Sequence, residues 1–112
     1  MSQITTHILD TARGKPASGV RVELSGFRGD GWSILGEGRT DSDGRVSDLV
    51  DGGPLPAGQY KIHFSTGEYF AAMESQSFYP YVEVIFEVSG DGQHYHVPLL
   101  LNPFGYSTYR GS

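Results

Sequence analysis

The stretch YVEVIFEVSGDGQHYHVPLLL (residues 81–101) sets the period of the whole chain. Val82, Val84, Phe86 and Val88 alternate with Glu83, Ile85 and Glu87, and beyond SGDG the residues Tyr95, Val97, Leu99 and Leu101 alternate again. A spacing of two places every second side chain on one face, which is the pattern of a half-buried β-strand. Between the runs stands a glycine and aspartate cluster, the chemistry of a turn.

Working outward, the same period recurs. Ile4, Thr6 and Ile8 share a face in ITTHILDT; Val20, Val22 and Leu24 do so in VRVELSGF; Tyr60, Ile62 and Phe64 do so in QYKIHF. WSILGEGRT is a shorter candidate strand. RGKPASG, DSDG, DGGPLPAGQ and NPFG separate these runs, and only TGEYFAAMES has helical composition. Short strands at fairly even spacing, divided by turns, predict an all-β sandwich with one short helix, in a single domain over residues 1–112.

The totals narrow the function. The chain has 112 residues, 38% of them hydrophobic and 19% charged, with 16 glycines and no cysteine. Disulfides, thiolate chemistry and cysteine-type zinc sites are excluded. A net charge of -5, with only eight Lys and Arg, argues against a nucleic-acid partner. No apolar run approaches the roughly 20 residues of a membrane span. MSQITTHILD has neither the basic nor the apolar region of a secretion signal, so the expected compartment is the cytoplasm.

The end of the chain, HYHVPLLLNPFGYSTYRGS (residues 94–112), is less ordinary. The second face of its first strand carries His94, His96, Pro98 and Leu100, neither plainly polar nor plainly core. Such a face is either scattered surface or a subunit interface. His94 and His96 point the same way, and His7 lies on the less apolar face of the first run. Imidazoles converging on one face suit proton transfer near neutral pH. Arg45, after the Asp-Gly of DSDG, is either a solvated turn residue or a guanidinium aimed at a developing oxyanion. His63, beside Lys61 and Ser65, is expected to be solvated. His7, His94 and His96 could ligate zinc, but a bare H-x-H on a strand is a pattern of low specificity. DSDG lacks the closing glutamate of a calcium loop.

Three segments together resemble the transthyretin-like family, in order from Ile4 to Ser112: THILDTARGKPASGVRVEL, TDSDGR and the ending just quoted. The final YRGS is similar to the 5-hydroxyisourate hydrolase branch; hormone carriers of the family lack that tail and these histidines. The resemblance implies two antiparallel sheets packed face to face, one short helix, and a homotetramer arranged as a dimer of dimers with active sites between dimers. It carries catalytic roles to His7, Arg45 and His96, and substrate-binding roles to Tyr109, Arg110, Gly111 and Ser112. It leaves His94 without a role. The implied reaction is hydrolysis of a small purine-derived substrate, 5-hydroxyisourate, to 2-oxo-4-hydroxy-4-carboxy-5-ureidoimidazoline on the way from urate to allantoin. No metal or organic cofactor is required for it. The alternative is a carrier that holds a small aromatic ligand in the channel between dimers without turnover. On this expectation the tail through Ser112 lines the pocket.

Overall fold

Alternation in the first run becomes burial. In β1 (Ile4–Asp10) the residues Ile4, Thr6, Ile8 and Asp10 are buried and those between them are half-buried. The same pattern holds in β3 (Arg21–Arg28), where Val22 and Leu24 are buried, and in β6 (Gly58–Phe64), where Tyr60, Ile62 and Phe64 are. In β7 (Val82–Val88) the inward row runs from fully buried Val82 and Val88 to partly buried Val84 and Phe86. In β8 (Tyr95–Asn102) the residues Tyr95, Val97, Leu99 and Leu101 are all buried. Each such aliphatic side chain removed from water contributes about 1.5–3 kcal/mol. β4 (Gly31–Arg39) covers the short candidate strand, and the helical segment forms a seven-residue α1 (Thr66–Ala72). Two elements were not foreseen, the two-residue strands β2 (Lys15–Pro16) and β5 (Arg45–Val46); the run after NPFG forms the edge strand β9 (Gly105–Thr108).

The computed structural model describes residues 2–112, and in it these elements make two sheets packed face to face. One has the order β4-β3-β6-β7, and the other β2-β1-β8-β9 with β5 also paired to β1. The pairings are antiparallel except one. β1 and β8 run parallel over seven residue pairs, from Ile4 opposite Tyr95 to Asp10 opposite Leu101. Among the described residues no helix is long and apolar enough to cross a membrane.

Two polar devices fix β1 in place. Asp10 is fully buried, yet one carboxylate oxygen accepts from the backbone N–H groups of Ala12 and Arg13 at 3.1 Å each, and the other from the Tyr69 hydroxyl at 2.8 Å. A buried carboxylate so satisfied ties α1 to the strand. Near the middle of β1, the Ile8 N–H donates to the Gly44 carbonyl at 2.8 Å. Gly44 closes the DSDG turn, in which Asp41 accepts from the backbone N–H of Asp43 at 2.9 Å and of Arg45 at 3.0 Å. The hydrogen bond from Arg45 is the main cause that holds the Asp41 carboxyl below its usual range. Arg45 is thereby delivered to the edge of β1 by a turn rather than by a long strand.

Gly44 has φ +75°, and a Cβ there would come within 2.5 Å of the Ile8 carbonyl oxygen. Gly44→Ala therefore loses more than the roughly 1–2 kcal/mol that the left-handed conformation alone costs. Urea unfolding of the variant checks this, and a loss below about 1 kcal/mol would show that the turn is not held against β1.

Candidate active site

The register of β1 assembles the site. Thr5 faces His96 and His7 faces Pro98 across the parallel ladder, while on its other edge His7 faces Arg45 of β5. Three segments far apart in sequence are thus adjacent strands, and their outward-facing residues share one surface of the sheet. A groove of about 310 Å³ opens there, lined by Thr5, Arg45, Ser47, His94, His96 and Ser112 among others.

His96 is half-buried at the centre of this region. Its Nδ1 lies 2.8 Å from the Thr5 hydroxyl oxygen, which also lies 3.0 Å from Nε2 of His94. The two imidazoles stand almost parallel, 14° apart, with centroids separated by 6.5 Å. Burial is the largest influence on His96 and lowers its pKa from the ordinary imidazole value; the positive charges of Arg45, His7 and His94 lower it further, and a backbone hydrogen bond at Thr5 opposes them. The result is an imidazole that stays neutral next to a permanent guanidinium. A neutral imidazole accepts protons, and a guanidinium stabilises oxyanions.

The tail closes one side. Opposite Pro98, which has no N–H to donate, the ladder between β8 and β9 stops at Leu99–Thr108 and resumes as a single bridge between His96 and Gly111. The Gly111 N–H donates to the His96 carbonyl at 2.9 Å. A Cβ on Gly111 would stand 2.6 Å from Cδ2 of the His96 ring, so only glycine lets the tail lie this close. Ser112 then reaches the groove.

The expected site residues therefore divide. His96, Arg45 and Ser112 meet in the groove, His7 stands beside them in the ladder, and Gly111 braces the His96 ring. Tyr109 and Arg110 lie between the last ladder pair and the Gly111 bridge and line a neighbouring cavity of about 280 Å³ with Val84, Phe86 and Tyr95. The Arg110 guanidinium lies 4.7 Å from the Tyr95 ring centroid and donates to Gln93 Oε1 at 2.6 Å. These contacts tie it to Tyr95 and Gln93 in a cavity whose lining, like that of the groove, includes His96. His63 is not the freely solvated residue that its neighbours suggested. It lies on the other sheet, 3.0 Å from the Glu83 carboxylate and against the Tyr81 ring, and it is the main cause lowering the pKa of Glu83.

Two groove residues were missed from sequence. His94 was visible as the partner of His96 at a spacing of two, but nothing in a strand pattern tells which polar residue it meets. Thr5 is adjacent only because β1 and β8 are parallel and in this register. Among the described residues no group of three or more His, Asp or Glu side chains is arranged to hold a metal ion.

Comparison with known proteins gives a consistent picture. A profile of the HIUase/Transthyretin family matches residues 4–111. A 5-hydroxyisourate hydrolase of Caulobacter vibrioides is 49% identical over 116 aligned positions, covering 100% of both chains. One from Salmonella typhimurium is 46% identical over 109, covering 97% of this chain and 80% of that one. Among solved structures, 5-hydroxyisourate hydrolase of Klebsiella pneumoniae superposes with a TM-score of 0.85 at 39% identity, covering 97% of this chain and 98% of that one. Sea bream transthyretin in complex with thyroxine superposes with a TM-score of 0.92 at 34% identity, covering 98% and 95%. The backbone is thus similar both to a hydrolase and to a thyroxine-bound transthyretin, so the fold alone does not select an activity. With the profile spanning nearly every residue, the chain belongs to the HIUase/Transthyretin family.

Proposed function

We propose that this protein is a 5-hydroxyisourate hydrolase, acting in urate degradation, and that His96, Arg45 and His7 carry the reaction. The observation that most supports this is the meeting of a desolvated, neutral imidazole with a guanidinium in one groove. A carrier has no need of that combination, and the relatives named as hydrolases are more similar to this chain in sequence than the thyroxine-bound one.

In the proposed reaction His96 takes a proton from water as the oxygen adds to a ring carbonyl of the substrate. Negative charge gathers on the carbonyl oxygen and is met by Arg45, which stays protonated throughout. The carbon–nitrogen bond of the six-membered ring breaks, and the departing nitrogen receives a proton from His96 or from His7. The Ser112 hydroxyl orients the ring by hydrogen bonding. Arg110 and Gly111 are assigned to holding the tail rather than to touching substrate, and Tyr109 to closing the neighbouring cavity.

We further propose a homotetramer, a dimer of dimers, with this surface turned toward a second dimer. In a single chain the groove is open, and Arg45, His94 and Ser112 are exposed. Ile85 of edge strand β7 and Phe104 and Tyr106 at β9 are exposed as well, at 58%, 66% and 43%. Apolar side chains along sheet edges suit association.

The direct test is the ultraviolet decay of freshly generated 5-hydroxyisourate with and without protein. Acceleration in proportion to enzyme concentration is expected, and an unchanged decay would overturn the reading. Arg45→Ala and His96→Asn should each lower kcat/KM by about 10²–10³, the range for removing one charged or hydrogen-bonding stabiliser, with the elution volume of the oligomer unchanged. Because its pKa is lowered, His96 remains a base below the ordinary imidazole value of about 6.5. The acid limb of the pH profile of kcat/KM should therefore fall below that value, and should move upward in Arg45→Ala as one depressing charge is removed. Gly111→Ala pushes a methyl group onto the His96 ring and should lower kcat/KM by up to about 100-fold with little change in thermal stability. Wild-type kinetics in that variant would mean the tail does not brace the ring.

A further inference from the structure

Thr5 precedes His7 by two residues on β1 and stands opposite His96. Its hydroxyl oxygen is within hydrogen-bond distance of one nitrogen on each of two imidazoles, at 2.8 Å from His96 Nδ1 and 3.0 Å from His94 Nε2. A threonine hydroxyl carries a single hydrogen. If it donates to one ring it must accept from the other, so the tautomers of His94 and His96 are linked through one oxygen.

Two arrangements satisfy this link. In one, His96 Nδ1–H donates to Thr5 and Thr5 donates to His94 Nε2, which leaves a lone pair on His96 Nε2. In the other, His94 Nε2–H donates to Thr5 and Thr5 donates to His96 Nδ1, which puts the hydrogen of neutral His96 on Nε2. Only the first makes His96 Nε2 a base. The proposed role of His96 as base selects it: the Thr5 hydroxyl occupies Nδ1, so Nε2 is the ring nitrogen left to accept a proton from water.

We infer that Thr5 is a positioning residue of the hydrolytic site: its hydroxyl holds neutral His96 in the Nδ1–H form with Nε2 free, and His94 anchors the other end of the hydrogen bond. This deepens the proposed reading of His96 as the base and rests on it. When Nε2 takes a proton from water, the Nδ1–H···Oγ1 bond becomes charge-assisted and strengthens. The same Nε2–H can then pass to the departing nitrogen, and the ring returns to its starting tautomer with no net proton gained. The titratable and charged groups around His96 are Arg45 on β5, His7 on β1 and His94 just before β8, with Glu87 and Arg110 lining the neighbouring cavity. None of these can stand in for a neutral hydroxyl that both donates and accepts.

Nitrogen-15 NMR of the histidine rings in the free protein, at a pH above the His96 titration, reads the tautomer directly. It is paired with kcat/KM for Thr5→Ser and for the isosteric Thr5→Val. The Nδ1–H form of His96 is expected in the wild type and in Thr5→Ser, with near wild-type kinetics in the latter. Thr5→Val should shift His96 toward the Nε2–H form and lower kcat/KM by about 10- to 100-fold, the effect of losing one hydrogen bond to a charged group. His94→Phe keeps a flat ring in place and should reproduce part of that loss. An Nε2–H tautomer in the wild type would overturn the inference, as would equal losses in Thr5→Ser and Thr5→Val or wild-type kinetics in Thr5→Val. Should Thr5→Val fail to fold, the wild-type tautomer decides alone. If the wild type shows the Nδ1–H form but does not accelerate substrate decay, the hydrolase reading fails and the hydrogen-bond arrangement stands.

Discussion

The parallel pairing of β1 with β8 is the constraint on which the rest depends. Seven residues at the beginning of the chain lie beside seven near its end, and alternation sends Ile4, Thr6 and Ile8 inward with Tyr95, Val97 and Leu99. The same alternation sends Thr5 and His7 outward with His96. A slip of one residue in this ladder would turn the apolar row to solvent and the imidazoles to the core. Burial of the apolar face therefore selects the register, and the register in turn places the chemistry. Thr6 adds to this from inside, donating its hydroxyl to the Val97 carbonyl at 2.6 Å.

Given that ladder, the other parts attach by short-range devices. Arg45 arrives through a tight turn stapled by Asp41 and closed by Gly44 against Ile8. The tail arrives through one backbone bridge at Gly111 and is steadied by Arg110 on Tyr95 and Gln93. The groove gathers cationic groups in a chain whose net charge is -5, and the electrostatic consequence is specific. Like charges around a partly desolvated imidazole keep it unprotonated, while the guanidinium among them cannot lose its own proton. On the proposed reading, burial first and proximity second keep base and electrophilic partner in opposite roles.

Much of this was legible in the residues. Period two identified β1, β3, β6, β7 and β8, because strands with one buried face write that burial into every second position. The helix was legible from composition, and Thr66–Ala72 is the short helix expected. β2 and β5 were not, since two-residue strands are defined by their partner and leave no periodicity of their own. The parallel sense of β1 and β8 left no mark either: alternation is the same whichever way the neighbour runs. That is why Thr5 was overlooked and His94 had no partner. Arg110 was expected at the substrate because its place in the motif is known; its contacts with Tyr95 and Gln93 depend on how the tail passes Pro98, which no local pattern announces.

On the proposed reading the ladder makes Arg45 and His96 one functional unit. A double-mutant cycle on kcat/KM, with Arg45→Ala, His96→Asn and the pair, tests this most directly. Groups that stabilise the same transition state in one groove should be strongly non-additive, so the double variant should lose at least tenfold less than the product of the two single losses. A double variant whose loss equals that product would mean that the two side chains act independently, and the groove organised by β1 would not be the seat of the reaction.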